Sequence, residues 1–123
     1  MEAITGIGGF FFRSRDPAAL SVWYEVHFGI NRVGQSYDDP VWRQDAGTTV
    51  FAPFKRESDY FGPAEKTWAI NFKVRSLDRM VEQLRMAGIE VTIDPETYPN
   101  GRFATLYDPE GNRVELWQPD PPE

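Results

Sequence analysis

The chain has no cysteine. Disulfide frameworks, thiolate metal sites and cysteine nucleophiles are therefore excluded. Histidine occurs once, at His27, and lysine three times. The ten arginines are scattered and the net charge is −6. Nucleic-acid binding rests on clustered Lys and Arg, so that class is set aside. No apolar run approaches the ~20 residues a membrane helix needs. The first residues, Met1-Glu2-Ala3-Ile4-Thr5, show no basic region followed by an apolar core, the pattern of a secretory leader. The expectation is a soluble, cytoplasmic domain with neither a nucleic-acid nor a membrane partner. At 123 residues, 41% hydrophobic and 15% aromatic, the chain is long enough and apolar enough to bury a core.

The most informative stretch runs from Asp108 to Trp117. Asp108-Pro109-Glu110-Gly111-Asn112 reads as a tight turn, with φ preset by Pro109 and a positive φ open to Gly111. Val114 and Leu116 then alternate with Arg113, Glu115 and Trp117, as in a half-buried strand. One face packs on something apolar. The other carries a carboxylate between a guanidinium and an indole.

In chain order, residues 4–13 form an aromatic-rich strand entered through Gly6, Gly8 and Gly9. A dinucleotide loop is excluded there, because Gly-x-Gly-x-x-Gly needs glycine where Phe11 stands. Asp16-Pro17 starts a helix as N-cap and N1. Leu20, Trp23, Tyr24 and Phe28 make its apolar face, and Gly29 stops it. His27, in its last turn, reads as a ligand or base, or as a cation at the negative helix end. Strands are predicted over 30–36, 41–44 and 48–54. Asp38 and Asp39 between them read as a cation site or as turn chemistry. Residues 55–66, holding Tyr60 and Phe61, form a long loop, either a lid or a linker.

Residues 67–74 alternate as a strand. Ser76 caps a second helix with the apolar face Leu77, Met80, Val81 and Leu84, ending at Gly88. Strands at 89–93 and 102–107 precede the last one. Residues 119–123 read as a frayed tail.

The order of elements repeats. Ser14 and Val74, like the caps Asp16 and Ser76, lie 60 positions apart; Phe28-Gly29-Ile30 and Ala87-Gly88-Ile89 lie 59 apart, and Gly47 and Gly111 lie 64 apart. The predicted fold class is α+β: two tandem βαβββ modules forming a curved mixed sheet that encloses a cleft. The whole chain, 1–123, is read as one domain. Module one spans about 4–54, the linker about 55–66, module two about 67–118, and the tail 119–123.

The pattern Asp-Pro-Ala-Ala-Leu-x-x-Trp-Tyr…Phe-Gly-Ile over 16–30 resembles the first helix of the vicinal oxygen chelate superfamily. That superfamily includes glyoxalase I, bleomycin-resistance proteins and extradiol dioxygenases. Phe72-x-Val74…Leu77-Asp78…Ala87-Gly88-Ile89 resembles its second helix, and residues 108–117 resemble its last hairpin. The resemblance implies four inward-facing metal positions. By register they fall on Gly9, Phe51, Ala69 and Glu115, of which Glu115 alone offers a ligating side chain. A catalytic divalent site needs about three protein ligands, so the expectation is no metal and no cofactor.

The resemblance also implies a cleft lined by Phe11, Arg13, Thr49, Phe51, Asn71, Arg113, Glu115 and Trp117, an aromatic wall with a few polar groups suited to a small molecule. Glu115 there needs a partner: Arg13, Arg113, or a group supplied by a ligand. Three functions follow. The first is metal-independent binding or sequestration of a small aromatic or amphipathic compound by a homodimer. The second is a lyase or isomerase with Glu115 as catalytic general acid or base. The third is a metal enzyme whose ligands come from a loop, such as Glu57 or Asp59.

Overall fold

The computed structural model describes all residues, Met1–Glu123. Six elements occur in the order α1 (Pro17–Phe28), β1 (Ile70–Lys73), α2 (Leu77–Met86), β2 (Thr92–Ile93), β3 (Gly101–Tyr107) and β4 (Arg113–Pro119). Both helices begin where their caps predict. Asp16 accepts from the Ala19 N–H and Ser76 from the Arg79 N–H, each satisfying a donor the helix cannot. Gly29, at φ 73°, closes α1. At the end of α2 the Ile89 N–H returns to the Leu84 carbonyl at 3.0 Å, with Gly88 at φ 81°, which ends a helix with its last carbonyls bonded.

The sheet is mixed, in the order β1-β4-β3-β2. β1 lies parallel to β4, and the β2/β3 and β3/β4 pairs are antiparallel. Alternation sorts its residues into two faces. Ala104 and Leu106 of β3 and Val114 and Leu116 of β4 are buried with Leu77, Val81 and Leu84 of α2 and with Val91. This is the core. α1 adds Leu20 at 4% exposure, while Trp23, Tyr24 and Phe28 pack partly buried against its edge. Residues 67–74 shorten to a four-residue strand and 89–93 to a two-residue one.

The first half differs from the expected repeat. It forms its helix, but residues 4–13, 30–36, 41–44 and 48–54 belong to no strand. Most of their side chains face solvent, with Phe11 at 91%, Phe51 at 86% and Val33 at 98% exposure, while Phe10 and Phe12 lie against Trp68 and Phe54 against Tyr60. A helix closes its hydrogen bonds within its own segment, whereas a strand exists only against a partner. Within this chain these segments meet none. The 43 backbone–backbone hydrogen bonds fall well below the roughly 80 ordinary for this length.

The halves are joined by the turn at 108–112. Asp108, 4% exposed, accepts from the Glu110 and Asn112 N–H groups, from Asn112 Nδ2 and from the Tyr24 hydroxyl of α1. Glu110 accepts from the Ser14 hydroxyl and from the Arg15 and Asp16 N–H groups, just ahead of α1. Lys66 Nζ donates to the Glu110 carbonyl and to Asn112 Oδ1. Residues 119–123, expected to fray, are tied at two points instead. The Asp120 N–H donates to the Asn100 carbonyl, and Glu123 accepts from Lys73 Nζ and the Thr48 N–H. A carboxylate within reach of an ammonium and a free amide is enough to hold an otherwise polar tail.

Candidate functional site

The sheet face away from α2 carries the chemistry. Asn71 and Lys73 project from β1, Phe103 and Thr105 from β3, and Arg113, Glu115 and Trp117 from β4, as strand alternation requires. The register sets their neighbours. Glu115 stands opposite Asn71 on one side and Thr105 on the other; Trp117 stands opposite Lys73 and Phe103. Cross-strand partners of this kind interact directly.

Glu115 is half-buried. Its Oε1 accepts from Asn71 Nδ2 at 2.8 Å. None of the four ion pairs includes it. The partner anticipated from the sequence, Arg13 or Arg113, is thus replaced by a neutral amide. Arg113 instead donates from Nη2 to Thr105 Oγ1 at 3.2 Å, and its Nε is buried without a hydrogen-bond partner. Trp117 lies 6.2 Å from Phe103 with the rings 6° from parallel, an offset stack. Its Nε1–H donates to the Asn100 carbonyl at 2.8 Å. The indole is therefore fixed in plane as a wall beside the carboxylate.

Tyr60 is the site residue that sequence reasoning missed. Its loop is legible as a lid or a linker, but no periodicity says where a loop side chain lands. The Arg113 guanidinium carbon lies 4.2 Å from the centre of the Tyr60 ring, a cation–π contact. Burial, and then the negative charge of Glu115, raise the Tyr60 phenol above its ordinary value, with Arg113 acting in the opposite sense. The phenol therefore stays protonated beside the carboxylate. Phe54 and Phe61 pack around it, with ring centres 5.0 Å and 5.3 Å away.

Of the eight residues expected to line a cleft, the structure brings Asn71, Arg113, Glu115 and Trp117 onto one surface. Phe11, Arg13, Thr49 and Phe51 lie exposed on the unpaired first-half segments. His27 packs edge-on to Trp23 in α1, 5.1 Å between ring centres, and Asp39 caps the Gln35 and Ser36 N–H groups of its own turn. No three His, Cys, Asp or Glu side chains converge anywhere. Around Glu115 the near groups are an amide, a phenol and a guanidinium. That donor set does not fit a divalent cation, which needs several anionic or neutral ligand atoms and no adjacent fixed cation.

No helix is long and apolar enough to cross a membrane. No curated protein matches the chain. Solved structures do. The antibiotic binding protein TnmS3 from Streptomyces sp. CB03234 is 31% identical over 42% of this chain and 41% of its own, with a TM-score of 0.38. A glyoxalase/bleomycin resistance protein from the same organism is 30% identical over 41% and 43%, TM-score 0.37. The genomically encoded fosfomycin resistance protein FosX from Listeria monocytogenes is 26% identical over 41% and 44%, TM-score 0.37. The chain thus spans less than half the length of these relatives. The family model for Glyoxalase/Bleomycin resistance protein/Dioxygenase superfamily, by contrast, runs from residue 6 to residue 116. It takes in both capped helices, the mixed sheet and the face that holds Glu115, and the chain belongs to that superfamily.

Proposed function

We propose that this protein binds a small aromatic or amphipathic molecule on the Glu115 face, without a divalent metal, and that it works as a homodimer. The observation that carries the reading is the state of Glu115. It is a half-buried carboxylate that accepts from the neutral Asn71 amide and forms no ion pair, although Arg113 lies on the same face, beside a fixed indole wall. Such a carboxylate has acceptor capacity left for a ligand hydroxyl or amine, and the Phe103–Trp117 stack, with Phe103 half-buried and Trp117 8% exposed, presents an aromatic edge to a ring. The homodimer is supported by the first half, whose extended aromatic segments have no pairing partner within the chain. A second copy offers sheet edges and apolar cover for them.

The test is a thermal-shift screen of aromatic and amphipathic compounds, followed by calorimetry on the hits. A ligand at a hundred times its Kd adds about 2.7 kcal/mol of stability. Glu115→Gln is expected to weaken the true ligand by about 1.5–3 kcal/mol, the scale of a charge-assisted hydrogen bond. Hits left untouched by both Glu115→Gln and Trp117→Ala would place the site elsewhere. Titration with Zn²⁺, Ni²⁺, Mn²⁺ or Fe²⁺ is expected to show no stoichiometric binding. A one-to-one site abolished in Glu115→Gln would overturn the metal-free reading.

A further inference from the structure

The loop 55–66 lies against the candidate site, yet its backbone is bonded only to itself. Its backbone hydrogen bonds are the local turns Ser58 N to Lys55 O, Gly62 N to Asp59 O and Lys66 N to Pro63 O. The Tyr60 N–H donates to Ser58 Oγ within the same loop. The tie to the rest of the fold is at its end, where Lys66 holds the 108–112 turn. The loop can therefore lift without breaking a ladder bond.

What it lays on the site is a phenol. The Tyr60 ring covers the guanidinium of Arg113 and is half-buried there. Beneath it, Arg113 donates to Thr105 at 3.2 Å and keeps a buried Nε without a partner. A guanidinium has five N–H donors. Glu115, on the same face two residues along, accepts from Asn71 at 2.8 Å, and the Tyr60 hydroxyl reaches toward its carboxylate. The groups that would recognise a ring bearing a hydroxyl are thus present, incompletely used, and covered by a side chain of that same chemistry.

We propose that Tyr60 is a built-in, displaceable occupant of this site, and that the ligand is a planar hydroxyaromatic compound that takes its place on Arg113 with its hydroxyl toward Glu115. This rests on the reading of the Glu115 face given above and narrows its ligand class. A cation–π contact at a half-exposed position changes an equilibrium constant by about two- to fivefold. A loop held by that and by two neighbouring aromatic rings is weak enough for a ligand to displace.

The experiment uses 4-methylphenol, the tyrosine side chain as a free molecule, and toluene, the same ring without the hydroxyl. Binding to the full chain and to its Tyr60→Ala and Tyr60→Phe variants is followed by Trp fluorescence and calorimetry. Tyr60→Ala is expected to bind 4-methylphenol about tenfold or more tightly than the native chain. It should prefer 4-methylphenol to toluene by about tenfold, the worth of one hydrogen bond. Glu115→Gln in the Tyr60→Ala background should reduce that preference, because the amide loses the charge that strengthens the bond. Tyr60→Phe keeps the ring and loses the hydroxyl, so its affinity for 4-methylphenol should rise by a few fold even if Tyr60→Ala does not fold. Equal or weaker binding by the Tyr60 variants would overturn the proposal and make Tyr60 a wall of the site. Equal affinity for toluene and 4-methylphenol would overturn it as a bare cavity. If the Tyr60 variants change nothing while Glu115→Gln weakens 4-methylphenol in the native chain, the displaceable ring fails and the site stands. If 4-methylphenol binds to no variant, the proposal fails, and the compound screen judges the site independently.

Discussion

Removing the Asp108 carboxylate should loosen the join between the two halves of the chain, by an amount the hydrogen-bond geometry sets. Asp108 Oδ1 accepts from the Glu110 N–H at 2.9 Å and the Asn112 N–H at 3.0 Å; Oδ2 accepts from Asn112 Nδ2 and the Tyr24 hydroxyl, both at 2.8 Å. Asp108→Ala strands all four donors. Glu110 and Tyr24 are half-buried and can turn to water, whereas Asn112, 4% exposed, cannot. Its two donors stay dry and cost about 1–3 kcal/mol each, or about 2–6 kcal/mol in all. Asp108→Asn keeps Oδ1 for the two backbone donors, and the Tyr24 hydroxyl can reverse to accept. One donor, Asn112 Nδ2, is left facing an NH₂, for a loss of about 1–3 kcal/mol. Tyr24→Phe deletes one bond and strands nothing, so it should cost about 0.5–1.5 kcal/mol. Urea unfolding followed by Trp fluorescence, with slopes compared, measures the series. The double variant Asp108→Ala with Tyr24→Phe should lose less than the two singles together, since both break the same contact. A loss under about 1 kcal/mol for Asp108→Ala, or a Tyr24→Phe loss as large as that of Asp108→Ala, would refute the reasoning.

Three further expectations follow from other contacts. Leu84, 0% exposed among the side chains of α2, β3 and β4, should cost about 2–5 kcal/mol when truncated to Ala; a change under ~0.5 kcal/mol in a denaturant titration would mean this helix face is not core. The Glu110 carboxyl is held below its ordinary value of 4.5 by the Arg15 N–H, then by the Ser14 hydroxyl. A depressed folded-state value adds stability that is complete above the ordinary value and is lost as pH falls through the folded one. Glu110→Gln should therefore lower the urea midpoint at pH 7 and match the native chain in acid; a gap that persists unchanged in acid would contradict the clasp. Sedimentation at micromolar concentration should show a species of twice the 14.1 kDa chain mass, and a single-chain species would exclude the homodimer.

Much of this molecule was legible locally. Asp16-Pro17, Gly29, Ser76 and Gly88 act within four or five residues of themselves, so both helix ends could be read from the sequence. The alternation of Arg113 to Trp117 likewise sorted the last strand into a core face and a site face, because side-chain direction in a strand has a fixed period. The duplicated order of caps and glycines led to the superfamily.

Tertiary structure alone decided the rest. Glu115 bonds Asn71, 44 residues away, because β1 lies parallel to β4 in a register that no local pattern specifies. Tyr60 lands on Arg113 through a loop whose path follows from the elements it joins. Glu110, read as a turn residue, secures the approach to α1 across more than ninety residues. The first-half segments have the composition of strands and form none, because composition sets a preference for extended backbone while pairing needs an edge. What the sequence determined by itself is what each segment does with its own hydrogen bonds; which distant groups meet, and hence what the Glu115 face can hold, depends on contacts between segments.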